Sequence, residues 1–318
     1  MVNNRWYDSF LNAISEKYPK KMLLTQALMS LLELEREAVY RRLRKDVSFT
    51  FHEIVTISSA WNISLDKIIG VNAGTVPFQM YLINYINLSK RETQYLQQVI
   101  QSVRQLENFP DSESMNVCNR FTCTLLTGFK HLYQFYLFKW VYQYGDGKEV
   151  MPLSQIIIPD KNLMTDYYQA MKSVSNTTFI FDNMIFDYLI HDIQYFHSIR
   201  MITDEEKELI KKDLYSLLDY LSELANKGYY PETKNKVTLC ISRLNIDTNY
   251  SYIYSPQMKV CFVHVFDKYE LQSFDTDMVV NFKTWMQLKK KISFQISEVD
   301  EIRRMEFFAK QYQLIADL

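Results

Sequence analysis

The 318-residue chain has little of what punctuates or cross-links a fold: 6 glycines, 7 prolines and 4 cysteines. So few glycines leave nowhere to build a phosphate-cradling loop, and neither GxxxxGKS/T nor GxGxxG occurs. The GxSxG nucleophile elbow and the HExxH zinc signature are missing too. Cys118, Cys123, Cys240 and Cys261 are too few for a disulfide framework and fit a reducing compartment. Cys118 and Cys123, followed by His131, stand five apart in what reads as helix and point in different directions, so a buried structural role is expected and no metal. His191 and His197, six apart in a helical stretch, do not share a face and read as structural. The formal net charge is −1, so any attraction to nucleic acid must be local. The first residues lack the basic start and apolar run of a signal peptide. The longest uncharged stretch, residues 68–89, is too polar to cross a bilayer. These absences predict a cytoplasmic protein with no cofactor, no membrane partner and no enzymatic activity.

What is present describes a folded chain. Hydrophobic residues make up 47% and aromatics 15%, with 23 Tyr and 20 Phe, whereas disordered chains are poor in aromatics. The organising stretch is residues 23–70. Its periodicity predicts helices over about 24–32, 35–45, 50–61 and 64–69, with a helix over about 4–18 closing the same core. Only Glu33 and Leu34 separate the first two helices of the stretch, which forces them to cross steeply as in a helix-turn-helix. Leu28, Leu31, Leu32, Leu34, Val39, Leu43, Ile54, Ile57, Trp61, Ile63, Leu65 and Ile68 supply the core. Arg36, Glu37, Tyr40, Arg41, Arg44 and Lys45 are left on the outer faces of the second helix. Arg can pair with two acceptors on guanine, Glu can accept from cytosine, and Tyr and Lys can hold phosphates. Thr25 is expected near a helix start, as a phosphate contact or as a cap.

LMSLLELEREAVYRRLRKD followed by FTFHEIVTISSAWNISLDKIIG resembles the lambda-repressor-like (Cro/C1, XRE-type) DNA-binding domain, in a Bacteroidetes-type variant. The resemblance covers roughly residues 10–70, and residues 62–70 are its most recognisable part. Met29 stands where that family usually has a small Ala, Glu33 where the turn usually has Gly, and Glu35 where the second helix usually has a Ser or Thr cap. Glu33 must therefore accept a conformation that suits Gly better, and Glu35 favours the helix dipole without the usual capping bond.

The expected fold is mainly α with a smaller α+β C-terminal part. It comprises a helix-turn-helix domain over 4–70, a linker over 71–88, a helical domain over 89–230 and an α+β module over 231–318, the last two either separate or one domain. Residues 80–88 read as strand or short helix. The capping box from Ser89 to Glu92 opens a helix to about 108 whose narrow stripe, Leu96, Val99, Ile100, Val103 and Leu106, suits one partner helix in this chain or a second subunit. The segment 115–144 reads as a helix apolar on every side, ended by the loop 145–150. Helices are expected near 154–158, 160–173, 178–199 and 204–226, the last capped by Thr203. Alternation over 236–244, 248–255 and 259–267 predicts a three-stranded antiparallel meander. A helix over 276–288, a short strand over 292–296 and a final helix with Ile302, Met305, Phe308, Tyr312 and Ile315 on one face complete the chain. Tyr250, Tyr252 and Tyr254 alternate along one strand, and Phe262, His264 and Phe266 along its neighbour. They line an effector pocket if those faces meet over a cavity, and belong to the core if they meet a helix.

The function expected from this reading is sequence-specific transcriptional regulation. The resemblance implies double-stranded DNA as partner, a homodimer, and a C-terminal region for dimerisation or for sensing a small-molecule or protein effector. The alternative class is a protein-interaction scaffold in which the helix-turn-helix is a docking or vestigial element.

Overall fold

The computed structural model describes residues 5–61, 63–65, 68, 76–84, 87–144, 151–158, 161–266 and 269–318. The chain forms two compact units, Met1–Pro77 and Phe78–Leu318, and is mixed α+β. The expected linker core 71–75, residues 66, 67 and 69 of the expected helix over 64–69, and the loop 145–150 lie outside the described residues.

In the first unit, α1 (Arg5–Lys17), α2 (Lys21–Leu32), α3 (Arg36–Leu43) and α4 (Phe51–Trp61) enclose one small core. Phe10, Ile14, Leu28, Val39 and Ile57 are fully buried at its centre. Each such side chain contributes roughly 1.5–3 kcal/mol of transfer free energy. Phe10 meets Phe49 edge to face at 5.8 Å, and the Tyr7 hydroxyl accepts from the Phe49 amide at 2.9 Å, which fixes the connection into α4 onto α1.

The second unit is built on one eight-stranded sheet, ordered β1-β7-β6-β5-β2-β3-β4-β8. The strands are β1 (Gln79–Met80), β2 (Glu113–Cys118), β3 (Asn176–Phe181), β4 (Lys236–Ile241), β5 (Tyr250–Tyr254), β6 (Lys259–Val265), β7 (Tyr269–Ser273) and β8 (Phe294–Gln295). β2, β3 and β4 pair in parallel, and every other pairing is antiparallel. Seven longer helices accompany them: α5 (Lys90–Arg104), α6 (Lys130–Tyr144), α7 (Lys161–Met171), α8 (Ile185–Ser198), α9 (Asp204–Lys227), α10 (Thr276–Ile292) and α11 (Glu301–Ala316). α5 to α9 and α11 pack on one sheet face, and α10 packs on the other, against Met115, Ile180, Cys240, Tyr252 and Cys261.

This arrangement corrects the expected helical domain. Residues 115–118 are strand, not the start of a helix, and 178–181 belong to β3, with the helix beginning only at Ile185. Both are six-residue strands that lead into strongly apolar helical segments, and β3 ends in the apolar run Phe179-Ile180-Phe181, so periodicity over a longer window does not separate them from a buried helix. The segments 89–230 and 231–318 consequently share one sheet. The expected meander is also re-paired: β4 lies beyond β3, with β2 and β3 between it and β5, and the third meander strand is β7. Residues 153–155 form a single 3-10 turn.

Several local signals appear as written in the sequence. Ser89 with Glu92 and Thr203 with Glu206 form reciprocal capping boxes. The α5 stripe is consumed inside the chain, with Leu96, Ile100, Val103 and Leu106 packed on Leu163 and Ala170 of α7. The α11 face is only partly used: Phe308 and Ile315 are buried, while Ile302 and Met305 remain 72% and 65% exposed. At the end of α7 the Lys172 ammonium is almost wholly enclosed, 4.2 Å from the centre of the Tyr168 ring, with Tyr220 and Tyr230 further round and the Glu232 carboxylate at 2.6 Å. Paired charge and ring faces together offset the cost of burying the cation.

Gly228 ends α9 in the left-handed region, φ 70°, its amide donating to Leu224 O. A Cβ there would lie 2.5 Å from the Glu298 carboxyl, whose flexible end can move, so backbone strain dominates the cost. Gly228→Ala is expected to lower the stability of the second unit by about 1 kcal/mol, read by chemical denaturation. An unchanged midpoint would show that the turn relaxes.

Candidate nucleic-acid interface

The turn between α2 and α3 is made by Glu33, a non-glycine residue in the left-handed region with φ 53° and ψ 40°. Its amide donates back to Met29 O, and the Leu34 amide reaches the same carbonyl at 3.3 Å. Glu35 caps α3 in an extended conformation without a side-chain hydrogen bond. α3 is two to three residues shorter than its sequence pattern suggests: Arg44 is the C-cap and Lys45, at φ 67°, has left the helix.

At 3.6 residues per turn, positions 36, 37, 40, 41 and 44 fall within an arc of roughly 140°. Val39 is fully buried on the opposite side. Arg36, Glu37, Arg41 and Arg44 are exposed and Tyr40 is half-buried. The face is internally organised. Arg36 Nη2 donates to the Tyr40 hydroxyl at 3.2 Å with its guanidinium 5.4 Å from the ring centre, and Lys21 of α2 sits 6.0 Å from the same ring. The Arg36 hydrogen bond holds the Tyr40 phenol below its ordinary pKa, which makes its hydroxyl a better donor. Arg44 is bound by Glu37 at 2.9 Å and Asp46 at 3.2 Å, and Lys45 pairs with Asp8 of α1. Arg41 has no ion-pair partner among the described residues.

One expectation about this surface is corrected. Thr25 is not a surface contact: α2 begins a turn earlier than expected, at Lys21, so Thr25 faces inward, 2% exposed, and donates to Lys21 O at 2.9 Å. Arg42, part of the basic run from 41 to 45, belongs to the scaffold. Its Nε and Nη2 donate to both Glu53 carboxylate oxygens, at 3.0 and 2.8 Å, with side chains 15% and 12% exposed. Glu53 also accepts from the Thr50 amide while Thr50 Oγ1 accepts from the Glu53 amide, a capping box at the start of α4. The TFHE pattern announces that box, whereas the Arg42 bridge depends on how α3 and α4 pack. The first 77 residues hold ten Lys and Arg against eight Asp and Glu, so the unit is mildly basic while the rest of the chain is acidic.

Elsewhere, the expected effector pocket does not assemble. Tyr252 pairs with Cys261, and Ser251 with Phe262, so Tyr250, Tyr252 and Tyr254 lie on one sheet face and Phe262 and His264 on the other. The tyrosines pack on α10: Tyr250 meets Trp285 edge-on at 5.0 Å, Gln287 donates to the Tyr252 hydroxyl, and Lys283 lies over Tyr254 at 4.1 Å. Burial pushes the Cys118 and Cys123 thiols up to about 12, and those of Cys240 and Cys261 to about 11, which suits inert structural thiols. Among the described residues no group of three or more metal-ligating side chains occurs, and no described helix is long and apolar enough to cross a membrane.

Comparisons with protein-family models, curated proteins and solved structures gave no match. The site is therefore read from its own chemistry.

Two stability changes follow from the scaffold. Glu33→Gly is expected to strengthen protection of the Leu28 and Val39 amides in hydrogen exchange by roughly 0.5–1 kcal/mol, because Gly adopts the left-handed turn without strain. Weaker protection would mean that the lost backbone entropy outweighs it. For Glu53, burial alone would raise the carboxyl pKa, yet the Arg42 and Thr50 hydrogen bonds more than compensate and leave it below 4.5. A depressed folded value means the pair stabilises fully above pH about 4.5 and is lost as the pH falls through that lower value. Glu53→Gln should cost about 2 kcal/mol at neutral pH and flatten the acid limb of the same amides' protection. An acid limb as steep as wild type would assign it to other groups.

Proposed function

We propose that the chain is a sequence-specific, DNA-binding transcriptional regulator whose first unit acts as a lambda-repressor-like helix-turn-helix. The observation that carries the reading is the outer face of α3, where Arg36, Tyr40, Arg41 and Arg44 converge with one acceptor, Glu37, while every apolar residue of the helix turns inward. A helix of that width fits the major groove. In this reading Arg41 and Glu37 reach base edges, Arg36 and Tyr40 engage the backbone or a guanine as one unit, and Arg44 and Lys45 exchange their acidic partners for phosphates. Glu37 and Asp46 shield Arg44 in the free protein, so base and phosphate contacts are made at the expense of existing pairs, which favours selectivity over tight non-specific binding. Two copies on a near-palindrome would place their α3 helices roughly 34 Å apart. The remaining unit would serve dimerisation or effector control, and the protein would work in the cytoplasm.

Selection of bound duplexes from a random pool should enrich a palindromic motif that the Arg36/Arg41/Arg44 triple-Ala variant fails to select. Arg41→Ala alone should weaken binding by about 1–3 kcal/mol without changing the melting curve. Affinity of the intact protein should fall as salt rises, with a log–log slope of about −0.9 per phosphate neutralised. No enrichment at low salt would reject the reading in favour of a protein-interaction scaffold.

A further inference from the structure

The crossover from β2 to β3 leaves a cavity of about 70 Å³ beside the start of α6. Thr127, Gly128 and Lys130 border it where the short helix Cys123–Leu126 joins α6, Tyr133 borders it one turn further on, and Ile158 and Met164 border it at the entry into α7. A single water needs about 10–15 Å³, so there is room for a molecule of several non-hydrogen atoms. A Cβ at Gly128 would meet nothing nearer than the Tyr168 ring at 3.7 Å, so the chain is open rather than packed at that point.

The lining is divided. Ile158 and Met164 form an apolar wall, while Thr127, Lys130 and Tyr133 carry the polar atoms. Tyr133 is 3% exposed, its ring stacked on Tyr136 with centres 6.3 Å apart. Its hydroxyl has no hydrogen-bond partner among the described residues, yet its oxygen is not sealed, so the cavity is what it opens onto. A hydroxyl buried without a partner is costly, and a polar group in the cavity is its natural complement. Burial holds the phenol above its ordinary pKa, so it stays protonated and able to donate.

Lys130 is exposed, and its ammonium pairs with no carboxylate among the described residues. Three positions apart on one helix, Lys130 and Tyr133 are surface neighbours, with Cβ atoms about 5–6 Å apart, within reach of one carboxylate. The amides of Gly128 and Lys130 donate to no described residue, at the positive end of a 15-residue helix. The next two amides show what that end accepts: His131 and Leu132 donate to Asp213 Oδ2 at 2.6 and 3.3 Å, with His131 Nδ1 3.3 Å from the same oxygen. Asp213 is engaged by those donors and forms no pair with Lys130.

We propose that this cavity binds a small organic acid, its carboxylate held by the Lys130 ammonium and the Tyr133 hydroxyl and its hydrocarbon end laid against Ile158 and Met164. The apolar wall favours a monocarboxylate with a short tail over an inorganic anion, and the lysine disfavours amines. The site stands whether or not the first unit binds DNA.

Sodium butyrate and sodium benzoate are titrated into the full chain at constant ionic strength and followed by saturation-transfer NMR, with butyramide as the neutral counterpart. Saturable binding of at least one acid is expected, weakened at least about tenfold by Lys130→Gln and at least about threefold by Tyr133→Phe. Lys291→Gln, which alters an exposed lysine at the end of α10 on the other sheet face, should leave it unchanged. Because its hydroxyl has no partner, Tyr133→Phe should melt no lower than wild type, and should it melt lower, Lys130→Gln decides alone. No saturable signal with either acid, equal affinity for butyramide, equal affinity in wild type and in Lys130→Gln or a normally melting Tyr133→Phe, or an equal loss in Lys291→Gln overturns the site.

Discussion

The second unit depends on the hydrogen-bonded pairing of both edges of one strand. Glu113–Cys118 runs parallel to Asn176–Phe181 on one side and antiparallel to Tyr250–Tyr254 on the other. Two segments 58 or more residues apart in sequence thus meet on a six-residue strand. On the parallel side the chain must cross over through helices, which deposit the main core on one sheet face. On the antiparallel side short turns suffice.

In the first unit the corresponding constraint is the turn at Glu33. Its left-handed backbone sets the crossing of α2 and α3, and the Arg42 bridge to Glu53 then holds α3 against α4. Fixing α3 on both sides allows its outer face to be presented as a preorganised surface, with little ordering left to perform on binding. The same packing divides the basic run: Arg42 serves the scaffold, Arg44 and Lys45 are held by acidic neighbours, and Arg41 alone of the run has no ion-pair partner among the described residues. A charge count over the run would have overstated the exposed positive surface.

Local signals were legible because they act over three or four residues. The serine and threonine caps at 89 and 203 each place a carboxylate three residues on, and the helix interior needs no other partner to satisfy those amides. The α2–α3 pair was legible because two intervening residues leave few ways to cross. Strands β2 and β3 were not, because each is only six residues long and leads into a strongly apolar helical segment, so a window long enough to show periodicity mixes strand with helix. Thr25 was misplaced by a single turn of helix, enough to carry a hydroxyl from the surface to the core.

The sequence by itself determined the presence and outer face of the α2–α3 pair, the caps of the long helices and the residues too sparse to build phosphate loops or disulfides, since all of these depend on composition or on spacing within one or two turns. Only the tertiary structure decided which arginine became scaffold, that the aromatic strands show their tyrosines and their histidine to opposite faces, and that Lys172 is enclosed by Tyr168, Tyr220 and Tyr230. Those outcomes rest on strand register and helix packing between residues tens of positions apart, where shifting a pairing by one residue turns every side chain to the other face.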